Sequence, residues 1–296
     1  MRQPAPGFFP GTQCALIRGL IALLLVVALL LSSACTHLIF GPLKPHWYTP
    51  EIVDLEYENI YALTDDGLRL HGWKLHATTD HVGNLVFFHG NGENISTHFA
   101  NVFWLADYGY DIYLFDYRGY GKSEGSPQLD DIVADVDVML NAVLQQLPAN
   151  EKLAVMGHSF GASLSIYAVA HSRYRDRISA LISVAAFADY REVTQEILSR
   201  SWLTWALQWP LSYTIDNSYR PLDSIALVAP IPLFMMHASQ DEIIALHHAH
   251  DLIARAHSPS QLVEIEGDHN YALNLDINRA LIVQFLRGIT EIETRR

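Results

Sequence analysis

Cysteine is almost missing from this 296-residue chain, which has only Cys14 and Cys35. A disulfide-stapled scaffold is thereby excluded, and so is a multi-cysteine metal site. Basic residues are scarce too: 19 stand against 32 acidic ones, for a net charge of −13. That balance argues against nucleic-acid binding and against polyanionic substrates. No apolar run reaches the roughly 20 residues that a spanning helix needs. Internal repeats and low-complexity stretches are also absent, so a single globular domain with an ample core is the expected organisation.

The most informative stretch present is Val155-Met156-Gly157-His158-Ser159-Phe160-Gly161-Ala162. Lys152 to Met156 reads as a short buried strand, and Ser163, Ile166, Tyr167 and Ala170 continue at helical spacing. Strand, Gly-x-Ser-x-Gly turn and helix together make a nucleophile elbow, which lifts Ser159 clear of the sheet. Glycine suits positions 157 and 161, because the turn is too tight for a larger neighbour.

A serine hydroxyl needs a base to take its proton, and histidine is suited to that task near neutral pH. Fifteen histidines compete. Where the order is serine, acid, histidine, with the last two after late strands, two positions fit. Ile231 to His237 is a strand that opens into a loop holding Asp241, and Gln261 to Ile265 is the last strand, leading to His269. Asp241 would orient the imidazole and stabilise its protonated form. Glu242 is the nearest rival, Asp268 is a poorer one, and Asp241 could instead cap a helix starting near Ile244. Acyl transfer also needs donors for a developing oxyanion. The strand Asn84 to Phe88 runs into His89-Gly90-Asn91-Gly92-Glu93-Asn94, offering the backbone N–H of Asn91, and the second donor is the N–H of Phe160 at the head of the following helix.

Taken in order, His89 to Asn94, Asp116-Tyr117-Arg118-Gly119-Tyr120-Gly121-Lys122-Ser123-Glu124-Gly125, Gly157 to Gly161, Asp241 and His269 resemble the α/β-hydrolase superfamily. Within it the chain is similar to the serine aminopeptidase-like and Bem46-like branch, from about Ile52 to about Leu286. The resemblance implies an α/β fold with a mostly parallel eight-stranded sheet, helices on both faces and a small helical cap. It also implies that Arg118 ties neighbouring segments together rather than doing chemistry.

Periodicity gives the same architecture. Ile52 to Leu63 and Leu68 to His76 predict an antiparallel pair around the turn Asp65-Asp66-Gly67. Helices are expected near Ile95 to Tyr108 and from Leu129 to Leu147, the latter with Asp130, Asp131, Asp135 and Asp137 mostly facing water. The cap is expected at about 187–229. There Trp202, Trp205 and Trp209, with Leu203, Leu207 and Leu211, recur at roughly helical spacing. They would pack a cap helix on the body, line a wall for an acyl or aromatic group, or do both.

At the other end, Arg2 and Arg18 precede the twelve apolar residues Leu20 to Leu31 and then Ser32-Ser33-Ala34-Cys35. This reads as a secretory signal over 1–34 and resembles a bacterial lipoprotein signal, with lipid on Cys35. Ser32 stands where that family usually has leucine, so ordinary cleavage or an uncleaved anchor are the alternatives. Residues 35–50 would be a tether and 51–296 the hydrolase domain. The expected location is the periplasmic side of the cell envelope, held to the membrane through Cys35. Neither a cofactor nor a metal is expected. His247, His248 and His250 lack a carboxylate partner at metal-site spacing. The functional expectation is a serine hydrolase of small or medium carboxylic esters, extending to thioesters or amides. The alternatives are a peptidase-like amide hydrolase and a lipid-anchored scaffold without turnover.

Overall fold

Whether a strand lies at the centre or the edge of the sheet follows from its side-chain pattern. In the computed structural model, which describes residues 40–294, β3 (Gly83–Phe88) and β5 (Leu153–His158) carry unbroken apolar runs and are buried almost throughout. Burial on every residue requires cover on both faces, the condition of a central parallel strand. By contrast β1 (Tyr57–Leu63) and β8 (Ser260–Ile265) keep several exposed positions and form the two edges. Between them lie β2 (Arg69–Leu75), β4 (Tyr110–Phe115), β6 (Ile178–Val184) and β7 (Leu233–Ala238). The sheet runs β1-β2-β4-β3-β5-β6-β7-β8, and only β2 opposes the rest. The expected eight strands and mostly parallel pairing are therefore observed. Phe87, Met156, Phe234 and Met236, with Trp73 and Leu114, share one continuous core. Each such side chain contributes roughly 1.5–3 kcal/mol of burial.

After β3 the chain crosses to β4 on one side and then returns to β5 on the other. That reversal leaves a crevice at the carboxyl ends of β3 and β5, where ligands of open parallel sheets collect.

Three readings need correction. The segment expected as one helix over 95–108 is a single short α-turn, α1 (Ile95–His98), followed by 3-10 turns at Phe99–Asn101 and Phe103–Tyr108. Phe99, Val102 and Leu105 are all buried and recur every third residue, which is the 3-10 period rather than the α period. Ile52 and Val53, expected as the start of β1, lie instead in a 3-10 turn, Pro50–Val53, opened by Pro50. Asp135, expected to face water, is buried on α2 (Leu129–Leu144) against Arg118.

Part of the expected tether is fastened to the body. Leu43 N–H donates to Glu93 O at 3.1 Å and Leu43 O accepts from Gly121 N–H at 2.9 Å. Asn94 Nδ2 holds the carbonyls of Leu43 and Pro45, and His46 Nε2 lies 2.8 Å from Asp116 Oδ2. Residues 40–50 thus belong to the domain. The expected signal segment and Cys35 lie outside the described residues. Among the described residues no helix is long and apolar enough to cross a membrane.

Candidate active site

The elbow is as tight as its glycines require. A Cβ on Gly161 would lie 2.0 Å from Phe88 O, and one on Gly157 would lie 2.3 Å from Gly161 O. Without side chains there, α3 (Phe160–His171) can press its first turn onto the end of β3. Ser159 occupies the bend with φ of 55° and ψ of −119°, a conformation costly for a non-glycine residue. Its N–H is held by Val184 O at 2.8 Å, and it keeps 9% exposure.

His269 and Asp241 meet as the sequence predicts. His269 Nδ1–H donates to Asp241 Oδ2 at 2.7 Å, with Asp241 side-chain exposure at 0%. The other oxygen, Oδ1, accepts from the N–H groups of Ile243 and Ile244, both at 2.8 Å. One carboxylate therefore does both jobs considered for it, orienting the histidine and turning the chain. Burial pushes the Asp241 carboxyl up, but the bonds from His269, Ile244 and Ile243 outweigh that and keep it below its ordinary value. Glu242 is exposed, and Asp268 spends one oxygen on the turn at Asn270 and Tyr271.

His158 is a positioning residue that sequence reasoning passed over. Its Nε2–H donates to the carbonyl of His269 at 2.9 Å, and the two rings lie 5.0 Å apart. The loop that carries His269 is thereby latched to the residue preceding Ser159. Its adjacency to the serine was the only available signal. Losing a latch of this kind is expected to cost about 100-fold in kcat, since displacement near 1 Å is enough for that loss. His158→Leu should show it, while His158→Gln, which keeps an N–H donor, should recover most of the rate. Equal rates in both variants would exclude the latch.

The loop after β3 lies against the same corner, because Gly90 sits under His158 and His98. Asn91 Oδ1 accepts from Gly92 N–H at 2.8 Å, Tyr120 Oη–H at 2.9 Å and Gly41 N–H at 3.2 Å, so its side chain fixes the loop. Phe160 is the first helical residue of α3, where backbone N–H groups lack intrahelical partners. Its ring packs edge-on between Phe40 at 5.4 Å and Tyr117 at 5.6 Å.

Arg118 clamps, as the resemblance implies. Its Nε and Nη2 grip Asp135 at 2.6 and 2.7 Å, and Nη1 reaches Asp131 at 2.9 Å. Among the described residues two His–carboxylate clusters have ligand atoms within 4.8 Å of one another: His46, His71 and Asp116, and Glu192, His247 and His248. Both already serve as hydrogen-bonded ties. Asp116 holds the His46 and His71 rings and the Ile95 N–H. His248 accepts from Ala188 N–H and reaches Glu196 at 3.3 Å, joining α4 (Tyr190–Ser199) to the helix His247–Arg255. Those carboxylates come from far away in sequence, so histidine spacing alone could not reveal them.

Burial holds His89 and His158 down at about 3, and crowding by neighbouring histidine rings adds to the effect. Both stay neutral in the fold, whereas the unfolded chain protonates them near 6.5. Their contribution to stability is therefore complete above pH 6.5 and is lost as pH falls from there toward 3. Each should remove about 1.4 kcal/mol per pH unit in that window. Melting temperature is expected to drop between pH 6.5 and 4.5, before the low-lying Asp116 and Asp241 begin to protonate. A flat melt over that range would contradict this.

The family follows from comparison with known proteins. A family model described as serine aminopeptidase, S33, matches residues 79–224. The uncharacterized protein YfhR of Escherichia coli K12 is 31% identical over 238 residues, covering 77% of this chain and 80% of its own. The chain belongs to the α/β-hydrolase superfamily, in its Bem46-like branch. As a member of that superfamily it is a hydrolase. Protein bem46 of Schizosaccharomyces pombe is 26% identical over 201 residues, spanning 66% of this chain and 64% of bem46. The solved esterase Pf2001 of Pyrococcus furiosus shares the fold with a TM-score of 0.70 at 18% identity, over 85% of this chain and 98% of that one.

Proposed function

We infer that this hydrolase cleaves carboxylic esters through a covalent acyl-enzyme. Ser159 Oγ attacks the ester carbonyl carbon while His269 Nε2 takes its proton. The tetrahedral oxyanion is received by the N–H groups of Asn91 and Phe160, and the latter also lies in the positive field of the α3 N-terminus. Collapse expels the alcohol, protonated by His269, and leaves an ester on Ser159. Water, deprotonated by the same imidazole, then releases the acid.

The observation that carries this reading is the 2.7 Å bond from His269 Nδ1 to Asp241 Oδ2. It fixes the tautomer that leaves Nε2 free of a proton, and it does so on a loop latched beside the elbow. Ester rather than amide bonds are favoured by structural neighbours named as esterases, whose likeness is one of fold. A fluorophosphonate probe is expected to label the full-length protein at Ser159 and to leave Ser159→Ala unlabelled. Failure to label a folded protein would favour the scaffold reading, and turnover confined to aminoacyl amides would favour the peptidase.

A further inference from the structure

The cap presents apolar side chains outward. Trp202, Trp205 and Trp209 are 85, 61 and 57% exposed, with Leu203, Leu207 and Tyr213 also exposed among them. They neither pack on the body nor form the regular helix their spacing predicts. The chain makes a 3-10 turn at Trp205–Leu207 and a short helix, α5 (Gln208–Ser212), with Pro210 inside it. Apolar residues scattered singly are ordinary on a protein surface, but a contiguous group marks a docking site. The base of this group is fixed. Buried Ser212 accepts from Gln195 Nε2 and donates to Trp209 O, Thr204 Oγ1–H donates to Leu198 O, and Arg191 reaches Ile215 O.

Charge points to the occupant. From Ile197 to Ile215 the only charged side chain is Arg200, in a chain with 32 acidic residues. A stretch cleared of carboxylates and carrying tryptophan, tyrosine and leucine suits the interface of a bilayer, where amphipathic rings settle at headgroup level. With one cation, docking would depend on apolar burial rather than on attraction to anionic lipid. The overall charge of −13 favours a zwitterionic surface.

The chain preceding the described residues supplies a second argument. It contains the apolar run Leu20 to Leu31 and enters the domain at Phe40, whose ring meets Phe160. From Leu31 to Phe40 is nine residues, which span at most about 32 Å. The Phe160 ring also meets the ring of Tyr190, the first residue of α4, at 6.4 Å. That helix, about 15 Å long, leads to the tryptophans. The residue at which the chain enters the domain and the residue that opens the base of the cap thus meet the same ring, Phe160.

We propose that the cap segment Trp202 to Tyr213 seats in the interface of a phosphatidylcholine-like bilayer and holds the active site against it, so that the ester substrates are membrane amphiphiles. The substrate clause rests on the esterase reading, whereas the docking clause does not.

The full-length protein reconstituted in phosphatidylcholine vesicles decides the matter. Three of the six tryptophans lie in the patch. With brominated acyl chains, emission should fall by about a third to a half, a drop largely abolished in Trp202→Ser/Trp205→Ser/Trp209→Ser and insensitive to salt. No quenching, or equal quenching in both proteins, overturns docking. So does a dimer that the triple variant dissociates while quenching is absent, because the patch would then face a second copy. For substrate, the variant should hydrolyse a soluble short-chain ester at the wild-type rate and a long-chain ester in the same vesicles at least tenfold more slowly. Equal rates on the long-chain ester overturn that clause. A wild type that neither hydrolyses nor takes up fluorophosphonate fails the esterase reading and with it the substrate clause, leaving docking to the quenching result.

Discussion

Ser159→Ala is expected to lower kcat for ester hydrolysis by about six orders of magnitude, and His269→Ala by a similar factor. The reason is that the two groups act as one. Once the hydroxyl is gone the imidazole has nothing to deprotonate, and once the imidazole is gone the hydroxyl is a feeble nucleophile. The double variant should therefore be no worse than either single one. Asp241→Asn should cost about 10⁴-fold, because an amide facing His269 Nδ1 favours the wrong tautomer. Steady-state kinetics on one ester, with enzyme counted as folded protein by absorbance and circular dichroism, reads all four variants. Additive losses would show that the residues work independently and would end the proposed mechanism.

Gly161→Ala sets two effects against each other. By helix propensity alone, alanine inside α3 should stabilise by about 1 kcal/mol. Its Cβ, however, would fall 2.0 Å from Phe88 O and 2.5 Å from His89 O. Both are backbone atoms of the strand end and cannot swing aside. The helix must back away, opening the packing between β3 and α3 and displacing Phe160 from the Asn91 loop. Packing should win, with a loss above about 4 kcal/mol, large enough to belong among buried-core lesions. Denaturant unfolding measures it directly. Gly67→Ala is a useful contrast: it stands at φ of 85° with open space around it, so its cost is backbone strain alone.

How much of this was readable beforehand differs from element to element. The elbow was legible because three local signals, the apolar strand, the two glycines and the helical period, fall within about twenty residues and agree. Asp241 and His269 were legible because the order of strands limits which loops reach the carboxyl edge. His158 was not, since its partner is a backbone carbonyl 111 residues away. Asp135 looked like one more surface acid until Arg118, from the loop after β4, turned it into a buried partner. The 3-10 turns after α1 escaped detection because periods of three and of 3.6 differ little over ten residues.

By itself the sequence determined that strands and helices alternate and where the elbow serine stands, since both rest on local periodicity and on glycine at points where backbone meets backbone, and its motifs in order carried the resemblance to the hydrolase family. Tertiary structure decided which carboxylates are buried, how residues 40–50 are stitched to the body and that the cap tryptophans face outward. Burial is a property of what lies on the other side of a side chain, and that neighbour comes from elsewhere in the chain.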